Sequence, residues 1–218
     1  MNFCALDIET VPNFDLSPQC IPEPKSPAKN LTDPIKIEKA KEEAEQARIK
    51  QMSLDPDLCR VVCVGVYFDK AEARITDEKT LLHDTWNFIE IAYFNHIPLI
   101  TFNGIQFDLP VLWHSAIRLG IPIDPRMYKD LTKKYDNRYH YDLFPILCDW
   151  DKQRYKGRGL EYWATLYGLG EKVGDGSEIY GFWQAKEYEK IRQHCEADVN
   201  ITVKLWEKIE PYVREREE

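Results

Sequence analysis

The sequence predicts a mixed α/β fold in which helices flank a single sheet, and three observations support this. Apolar runs rich in β-branched residues occur at residues 2–8 and 61–68, and weaker ones at 72–76 and 98–102; such runs favour buried strands. Helix-forming segments lie between and after these runs. With 218 residues and 44% hydrophobic side chains, the chain is long enough for one domain with a substantial core.

Local signals predict the helices. The spans are about 34–52, 79–94, 110–119 and from about 184 onward. Asp33 before Pro34 is a cap followed by a proline at the first helical position. Because that first helix has only a weak apolar stripe, we expect it to lie on the surface or to move. Pro110 lies in the first turn of the third helix, and Gly120 ends it.

The composition narrows the classes of protein. No stretch approaches the roughly 18 uninterrupted apolar residues of a membrane span, and the N-terminus lacks a secretory-signal pattern. The six cysteines show no paired spacing, which is typical of reduced thiols in a cytoplasmic protein. The net charge of -8 argues against tight non-specific duplex binding but permits a local basic surface. We therefore expect a cytoplasmic protein with no membrane partner.

Prolines mark an irregular segment near the N-terminus. Residues 12–34 hold six of the thirteen prolines, which predicts an extended loop ahead of the first helix. The organisation expected is a single domain over residues 1–218, with this loop and helix inserted at about 12–57.

Two carboxylates, Asp7 and Glu9, follow the first apolar run. Alternate residues of a strand share a face, so these side chains project together. Adjacent like charges raise each other's pKa unless a cation neutralises them. A metal site and an ordinary frayed strand end both remain open for this motif taken alone.

Two further acids occur in helical contexts. Asp198 lies on the apolar face of the last predicted helix, one turn after His194, where an isolated carboxylate is costly without a metal, a base or hydrogen-bond donors. Asp108 lies near the start of another predicted helix, after the turn pair Asn103-Gly104. An Asp–His contact at the edge of the core and a helix-capping acid are the ordinary alternatives.

Taken together and in this order, the motifs resemble those of the DEDD superfamily of 3'–5' exonucleases, most of all the exonuclease domain of family B DNA polymerases and its stand-alone relatives. The resembling segments are DIET (7–10), FNGIQFDLP (102–110) and CEADVNITVKLW (195–206). YHYDLF around Asp142 and GLEYWATLYGLGEK (159–172) resemble the connecting helices of that family. The resemblance covers roughly residues 1–11 and 58–210. It implies a ribonuclease H-like mixed five-stranded sheet flanked by helices.

The resemblance also implies hydrolysis assisted by two metal ions, Mg²⁺ or Mn²⁺, which oxygen ligands suit. Asp7 would bridge the ions, and Glu9 and Asp198 would complete the one that activates water. Asp108 would hold the second ion, mostly through water. His194 would position or deprotonate the attacking water.

By the same resemblance, Thr10 and Asn103 would contact the terminal nucleotide, and Phe107 would pack against it. The chain departs from the family pattern at two places. The polymerase branch has tyrosine where this chain has His194, and the other main branch has histidine at the position of Gln193. Gln106 stands where asparagine is common. The first departure leaves it open whether His194 is the base or only a structural residue.

Residues 126–158 combine a local basic excess with interleaved aromatic residues, as a channel for a single strand requires. A solvated loop with core tyrosines explains the pattern equally well. The basic residues are Arg126, Lys129, Lys133, Lys134, Arg138, Lys152, Arg154, Lys156 and Arg158. The interleaved tyrosine and tryptophan residues are Tyr128, Tyr135, Tyr139, Tyr141, Trp150 and Tyr155.

The sequence therefore predicts a metal-dependent 3'–5' exonuclease that acts on single-stranded nucleic acid, DNA in preference to RNA. A polymerase or another replication or repair protein is an expected partner in trans. An exoribonuclease, and a non-catalytic nucleic-acid-binding module that keeps the fold, are the alternatives. Function depends on the site rather than on the fold.

Overall fold

A five-stranded mixed sheet forms the centre of the computed structural model, which describes residues 3–151, 153, 155–170, 174 and 176–214. The strands are β1 (Cys4–Pro12), β2 (Cys59–Tyr67), β3 (Ala71–Arg74), β4 (Leu99–Thr101) and β5 (His140–Asp142). Their order across the sheet is β3-β2-β1-β4-β5, with β3, β2 and β1 antiparallel and β1, β4 and β5 parallel. The prediction of a mixed five-stranded sheet flanked by helices is confirmed.

Helices cover both faces of this sheet. They are α1 (Pro34–Ser53), α2 (Glu78–Phe94), α3 (Asp108–Leu119), α4 (Pro125–Leu131), α5 (Leu143–Leu147), α6 (Leu160–Tyr167), α7 (Ile179–Gln184) and α8 (Tyr188–Val213). Strand alternation separates two cores. Leu6 and Ile8 of β1 pack towards α2 and α3, whereas Ala5 packs on the face covered by α6 and α8.

The capping residues that the sequence predicted are confirmed at the start of α1 and at the end of α3. The Asp33 carboxylate accepts a hydrogen bond from the Ile35 N–H at 3.0 Å, directly before Pro34. Met52 is the one buried residue of α1, so the expected surface helix is confirmed. Gly120 ends α3 at a φ of 68°, in the left-handed region that glycine adopts without strain.

Three local predictions are wrong in their bounds or type. Strand β1 continues past residue 8 to Pro12, because Thr10, Val11 and Pro12 still pair with β2. Asp7 and Glu9 consequently lie inside the strand rather than at a frayed end. Residues 140–142, expected to belong to a connecting helix, form the edge strand β5, paired with β4.

The last helix was predicted from about residue 184 but begins at Tyr188, and the short helix α7, which the sequence did not predict, precedes it. Lys186 has a φ of 58°, and the Glu187 N–H donates to the Phe182 carbonyl at 2.8 Å, which closes α7 and redirects the chain before α8 begins. The inward positions of the predicted helix, Ile191, His194 and Asp198, all lie in α8 and are buried.

Helix α8 packs unusually close to the sheet at Gly65. Gly65 is the β2 partner of Asp7, and Cys63 is the partner of Glu9, so all four residues face α8. A Cβ at Gly65 would lie 2.7 Å from Val199 Cγ2 and 2.8 Å from Cys195 Sγ. The missing side chain therefore brings α8 within reach of the two carboxylates of β1.

Within the described residues, no helix combines the length and apolar character that crossing a bilayer requires. None of the six cysteines, all of which are described, forms a disulfide.

We expect Gly65→Ala to destabilise the protein by about 1–3 kcal/mol, because overpacking forces α8 away from the sheet. Urea unfolding measures this change in free energy. Gly181→Ala is the matched control, since a Cβ there meets nothing within 4 Å and alanine favours a helix. Equal stability of the two variants would show that the approach of α8 at Gly65 is not tight.

Candidate active site

The convergence of β1 and α8 creates a buried acidic centre. Glu9, His194 and Asp198 each offer a ligand atom within 4.8 Å of the others, and all three are buried. His194 Nδ1 lies 2.6 Å from Glu9 Oε1, and because a carboxylate accepts, the ring nitrogen donates. The spacing of one helical turn puts His194 and Asp198 on the same face of α8, as predicted.

Asp7 lies next to this group and contacts Cys195. Asp7, Glu9 and Cys195 form a second set of possible ligands with atoms within 4.8 Å of one another. Cys195 Sγ is 3.8 Å from both the Asp7 carbonyl and Asp7 Oδ2. Burial, followed by the neighbouring Cys63 thiol, raises the pKa of Cys195 well above its ordinary value of 9.0. Cys195 is therefore a neutral thiol beside the carboxylates rather than a thiolate.

Asp108 reaches the same centre from the start of α3. Its side chain is 3% exposed, and burial raises its pKa to about 8, with the Asp142 and Glu9 charges adding to the shift. A hydrogen bond from the Ile8 backbone opposes that shift. Strand β4 pairs with β1 only at Cys4 and Ala5, which leaves the β1 backbone at Ile8 accessible to α3.

Asp142 holds the loop that carries Asp108. Its carboxylate accepts hydrogen bonds from the Asn103 N–H at 2.6 Å and the Ile105 N–H at 3.0 Å, and it caps α5. Asn103 adopts a φ of 70°, which asparagine tolerates better than most residues. The geometry makes Asp142 a positioning residue for the segment from Asn103 to Asp108.

A buried polar network supports this loop from behind. His140 Nδ1 donates to the Leu131 carbonyl at 2.7 Å, and His140 Nε2 accepts from Thr101 Oγ1 at 2.7 Å. Burial lowers the pKa of His140, which keeps the ring neutral and suits these two roles. A Cβ at Gly104 would lie 2.2 Å from Thr101 Oγ1, so only glycine fits the close approach of loop and strand.

The three residues expected at the terminal nucleotide lie in different surroundings. Asn103 and Phe107 belong to the loop before α3, and Phe107 also packs against the core. Thr10 follows Glu9 on β1, so strand alternation turns it to the opposite face from the carboxylates. There, Thr10 Oγ1 donates to the Ser53 carbonyl at 2.6 Å and attaches β1 to the end of α1.

A cavity of about 480 Å³ lies between α1 and the segment that leads into α7. Lys50 and Ser53 line one side of it, and Ser177 and Tyr180 line the other. The Thr10–Ser53 hydrogen bond joins this cavity to β1 immediately after Glu9. The cavity is therefore connected to the strand that carries the acidic residues, although none of those residues lines it.

The basic and aromatic segment at 126–158 divides into a buried and an exposed part. Four of its aromatic residues pack against the two cores: Tyr128, Tyr139, Tyr141 and Tyr155. The other two, Tyr135 and Trp150, pack on each other with ring centroids 4.4 Å apart, and Tyr135 is 73% exposed. Lys152 and Arg154, and Glu171 and Lys172 of the 159–172 segment, lie outside the described residues.

The sequence did not indicate that two residues of the site, Cys195 and Asp142, have a functional role. Cys195 was expected only as a buried thiol, and Asp142 only as part of a connecting segment. An aspartate before an apolar turn does signal a helix cap, which Asp142 is, but nothing in the sequence indicates that the same carboxylate holds a distant loop.

A family model described as "Predicted 3'-5' exonuclease related to the exonuclease domain of PolB" matches residues 51–215. A DNA polymerase of Thermococcus aggregans is 25% identical over 178 residues, which cover 66% of this chain and 9% of the polymerase. A DNA polymerase of Pyrococcus horikoshii is 27% identical over 119 residues, which cover 49% of this chain and 10% of that polymerase. The chain thus spans about a tenth of these curated relatives.

The fold has a counterpart among solved structures. The family B DNA polymerase from the hyperthermophilic archaeon Pyrobaculum calidifontis superposes with a TM-score of 0.63 at 20% identity, covering 96% of this chain and 24% of that one. This likeness confirms the ribonuclease H-like fold. With the sheet order, the acidic centre and the match over residues 51–215 in agreement, the chain belongs to the family of predicted 3'–5' exonucleases related to the exonuclease domain of PolB.

Proposed function

We propose that this chain forms one metal-dependent exonuclease domain, which removes nucleotides from the 3' end of single-stranded DNA. The observation that carries the proposal is the buried group of Glu9, His194 and Asp198, with Asp7 in a second group that shares Glu9 and with Asp108 near enough for the charge of Glu9 to raise its pKa. The family relationship supports the reaction class, and the DNA polymerase relatives support DNA as the polymer.

The residues present fit divalent metal ions. Asp7, Glu9, Asp108 and Asp198 offer hard oxygen ligands, which suit Mg²⁺ or Mn²⁺, and a bound cation would lower the pKa that burial raises at Asp108. Asp7 would bridge two ions, with Glu9 and Asp198 on the first and Asp108 on the second. Bound ions supply Lewis-acid stabilisation of the phosphate and a more acidic water.

The protein's own groups set the geometry of attack. His194 orients Glu9 through Nδ1, and Nε2 is the ring atom that would accept a proton from the attacking water. The other edge of the ring faces Gly174, where a Cβ would lie 3.3 Å from His194 Cδ2. Asp142 keeps the loop in place so that Asp108 stays at the centre.

The terminal nucleotide would lie between the Asn103–Phe107 loop and the cavity beside α1. Asn103 and Phe107 supply a polar group and an aromatic ring on one side. Lys50 and Tyr180 line the cavity on the other side, next to the Thr10–Ser53 contact. In this arrangement Thr10 acts through α1 rather than by touching the nucleotide.

The test is digestion of 5'-labelled single-stranded DNA and RNA with Mg²⁺, Mn²⁺ or EDTA, resolved at single-nucleotide length. A ladder that shortens from the 3' end, needs metal and forms faster on DNA supports the proposal. A faster ladder on RNA would make the protein an exoribonuclease, and binding without cleavage would make it a non-catalytic module.

Asp7→Ala should abolish turnover, a loss of at least about 10³-fold, because the bridging ligand of both ions is gone. The rate is measured on a labelled oligonucleotide, and circular dichroism checks that the variant is folded. Asp69→Ala, at an exposed residue of the β2–β3 turn, should match the wild-type rate. Retained turnover in Asp7→Ala would contradict the two-metal assignment.

His194→Ala should lower turnover by about 10²–10⁴-fold, the usual contribution of a general base. Metal affinity, measured by calorimetry, should remain. His194→Tyr restores the polymerase branch's residue and should regain part of the rate with a different pH profile. Wild-type rates in His194→Ala over about pH 6–9 would show that the ring is only structural.

The stability of the metal-free protein should fall with rising pH because of Asp108. Its pKa of about 8 in the folded protein lies above the ordinary aspartate value of 3.8, so between these values the folded state keeps a proton that the unfolded chain releases. Asp108→Asn should therefore melt above the wild type at pH 8 in EDTA and match it near pH 4. Asp69→Asn is the control, and identical pH slopes for the wild type and Asp108→Asn would contradict the buried charge.

A further inference from the structure

We propose that Tyr135 and Trp150 form a stacking platform for a base of the strand upstream of the scissile bond, with Lys134 binding its phosphate. This inference rests on the proposed function and assigns the path of the uncleaved strand. The two rings and Lys134 line a cavity of about 290 Å³ together with Ile105, Gln106 and Asp142.

The chemistry of in-line attack selects this side of the site. Water attacks phosphorus opposite the leaving 3' oxygen, and that oxygen belongs to the upstream strand. If Glu9 and His194 position the water, the leaving 3' oxygen lies on the opposite side of the phosphorus, next to Asp108. The upstream strand would then extend away from the site on the Asp108 side. Asp142, whose charge acts on Asp108, lines the cavity, and so does the loop that Asp142 holds.

The two rings are placed where a base can reach them. Tyr135 is the most exposed of the six aromatic residues in the 126–158 segment, and it lies tilted by 44° against Trp150. A base of any identity can stack on the exposed face of Tyr135, which Trp150 supports from the other side, because every base has a π-face. The four other aromatic residues of the segment are committed to the cores.

Both residues of the platform have a strained backbone conformation that the surrounding structure maintains. Tyr135 and Trp150 have φ values of 63° and 60°, a region that non-glycine residues rarely occupy. At Trp150, the strain follows from the end of α5, where the Trp150 N–H donates to the Pro145 carbonyl at 2.8 Å. Strained residues held by their surroundings cluster at ligand sites, which agrees with the assignment.

Lys134 is the cation that a phosphate would engage in this cavity, which the carboxylates of Asp142 and Asp151 also line. Its neighbours Lys133 and Arg138 are both paired with Asp136, at 2.9 Å and 2.7 Å. Lys134 is exposed and makes no ion pair with any residue that the structure describes. It is therefore the cation of this loop that a phosphate can engage without displacing a carboxylate.

The test compares two substrates of the whole protein with Mg²⁺. One is a 5'-labelled oligothymidylate, and the other is the p-nitrophenyl ester of thymidine 5'-monophosphate, whose leaving group replaces the upstream strand. Tyr135→Ala and Trp150→Ala should each lower the ratio of oligonucleotide to ester kcat/KM about tenfold, as the loss of one stacked base predicts. Tyr212→Ala, which removes a ring that is 86% exposed at the end of α8, should leave the ratio unchanged.

A second measurement separates this inference from the proposed function. Binding of the labelled oligonucleotide in EDTA is followed by fluorescence anisotropy, so hydrolysis is not required. Weaker binding by both platform variants, but not by Tyr212→Ala, supports the platform even if wild type cleaves neither substrate. Unchanged binding and an unchanged ratio, or an equal loss on both substrates, would overturn it.

Discussion

The close packing of α8 on the sheet at Gly65 is the constraint on which the site depends. Because β2 has no side chain there, Cys195 and Val199 approach the strand backbone, and His194 and Asp198 come within ligand distance of Glu9. A helix displaced by one methyl group would separate acids that are far apart in sequence. The centre is thus assembled by backbone approach as much as by the carboxylates themselves.

Burying several carboxylates lowers the stability of the folded protein, and two kinds of hydrogen-bond donor reduce this cost: the His194 ring and backbone N–H groups. His194 donates to Glu9, and backbone N–H groups donate to Asp108 and Asp142, so part of the negative charge is hydrogen-bonded within the protein. The raised pKa of Asp108 shows that these donors are insufficient at that carboxyl. The remaining imbalance is what a cation would relieve.

Short-range spacing in the sequence predicted two pairs of site residues, and the family resemblance supplied the expectation that these pairs meet at one centre. Alternation places Asp7 with Glu9, and a four-residue spacing places His194 with Asp198. What it could not predict depends on long-range contacts. Strand β5 is three residues long and is defined only by pairing with β4. The segment YHYDLF is therefore too short to show the alternation of apolar and polar residues that indicates a strand. The break at Lys186 lacks a glycine, the usual signal. The roles of Asp142 and Cys195 are visible only once distant elements meet.

Helix α1 tolerates changes in sequence better than the elements that hold the acidic centre. Met52 is its one buried residue, more than half of its residues are exposed, and it is attached to β1 through the carbonyl of Ser53, a backbone atom that any residue provides. Substitutions along most of α1 therefore change neither the core nor that attachment. The match to the family begins at residue 51, next to Met52, the one buried residue of α1. The exposed positions of α1 can accordingly change in sequence without disturbing the packing of β1, β2 and α8 that holds the acidic centre together.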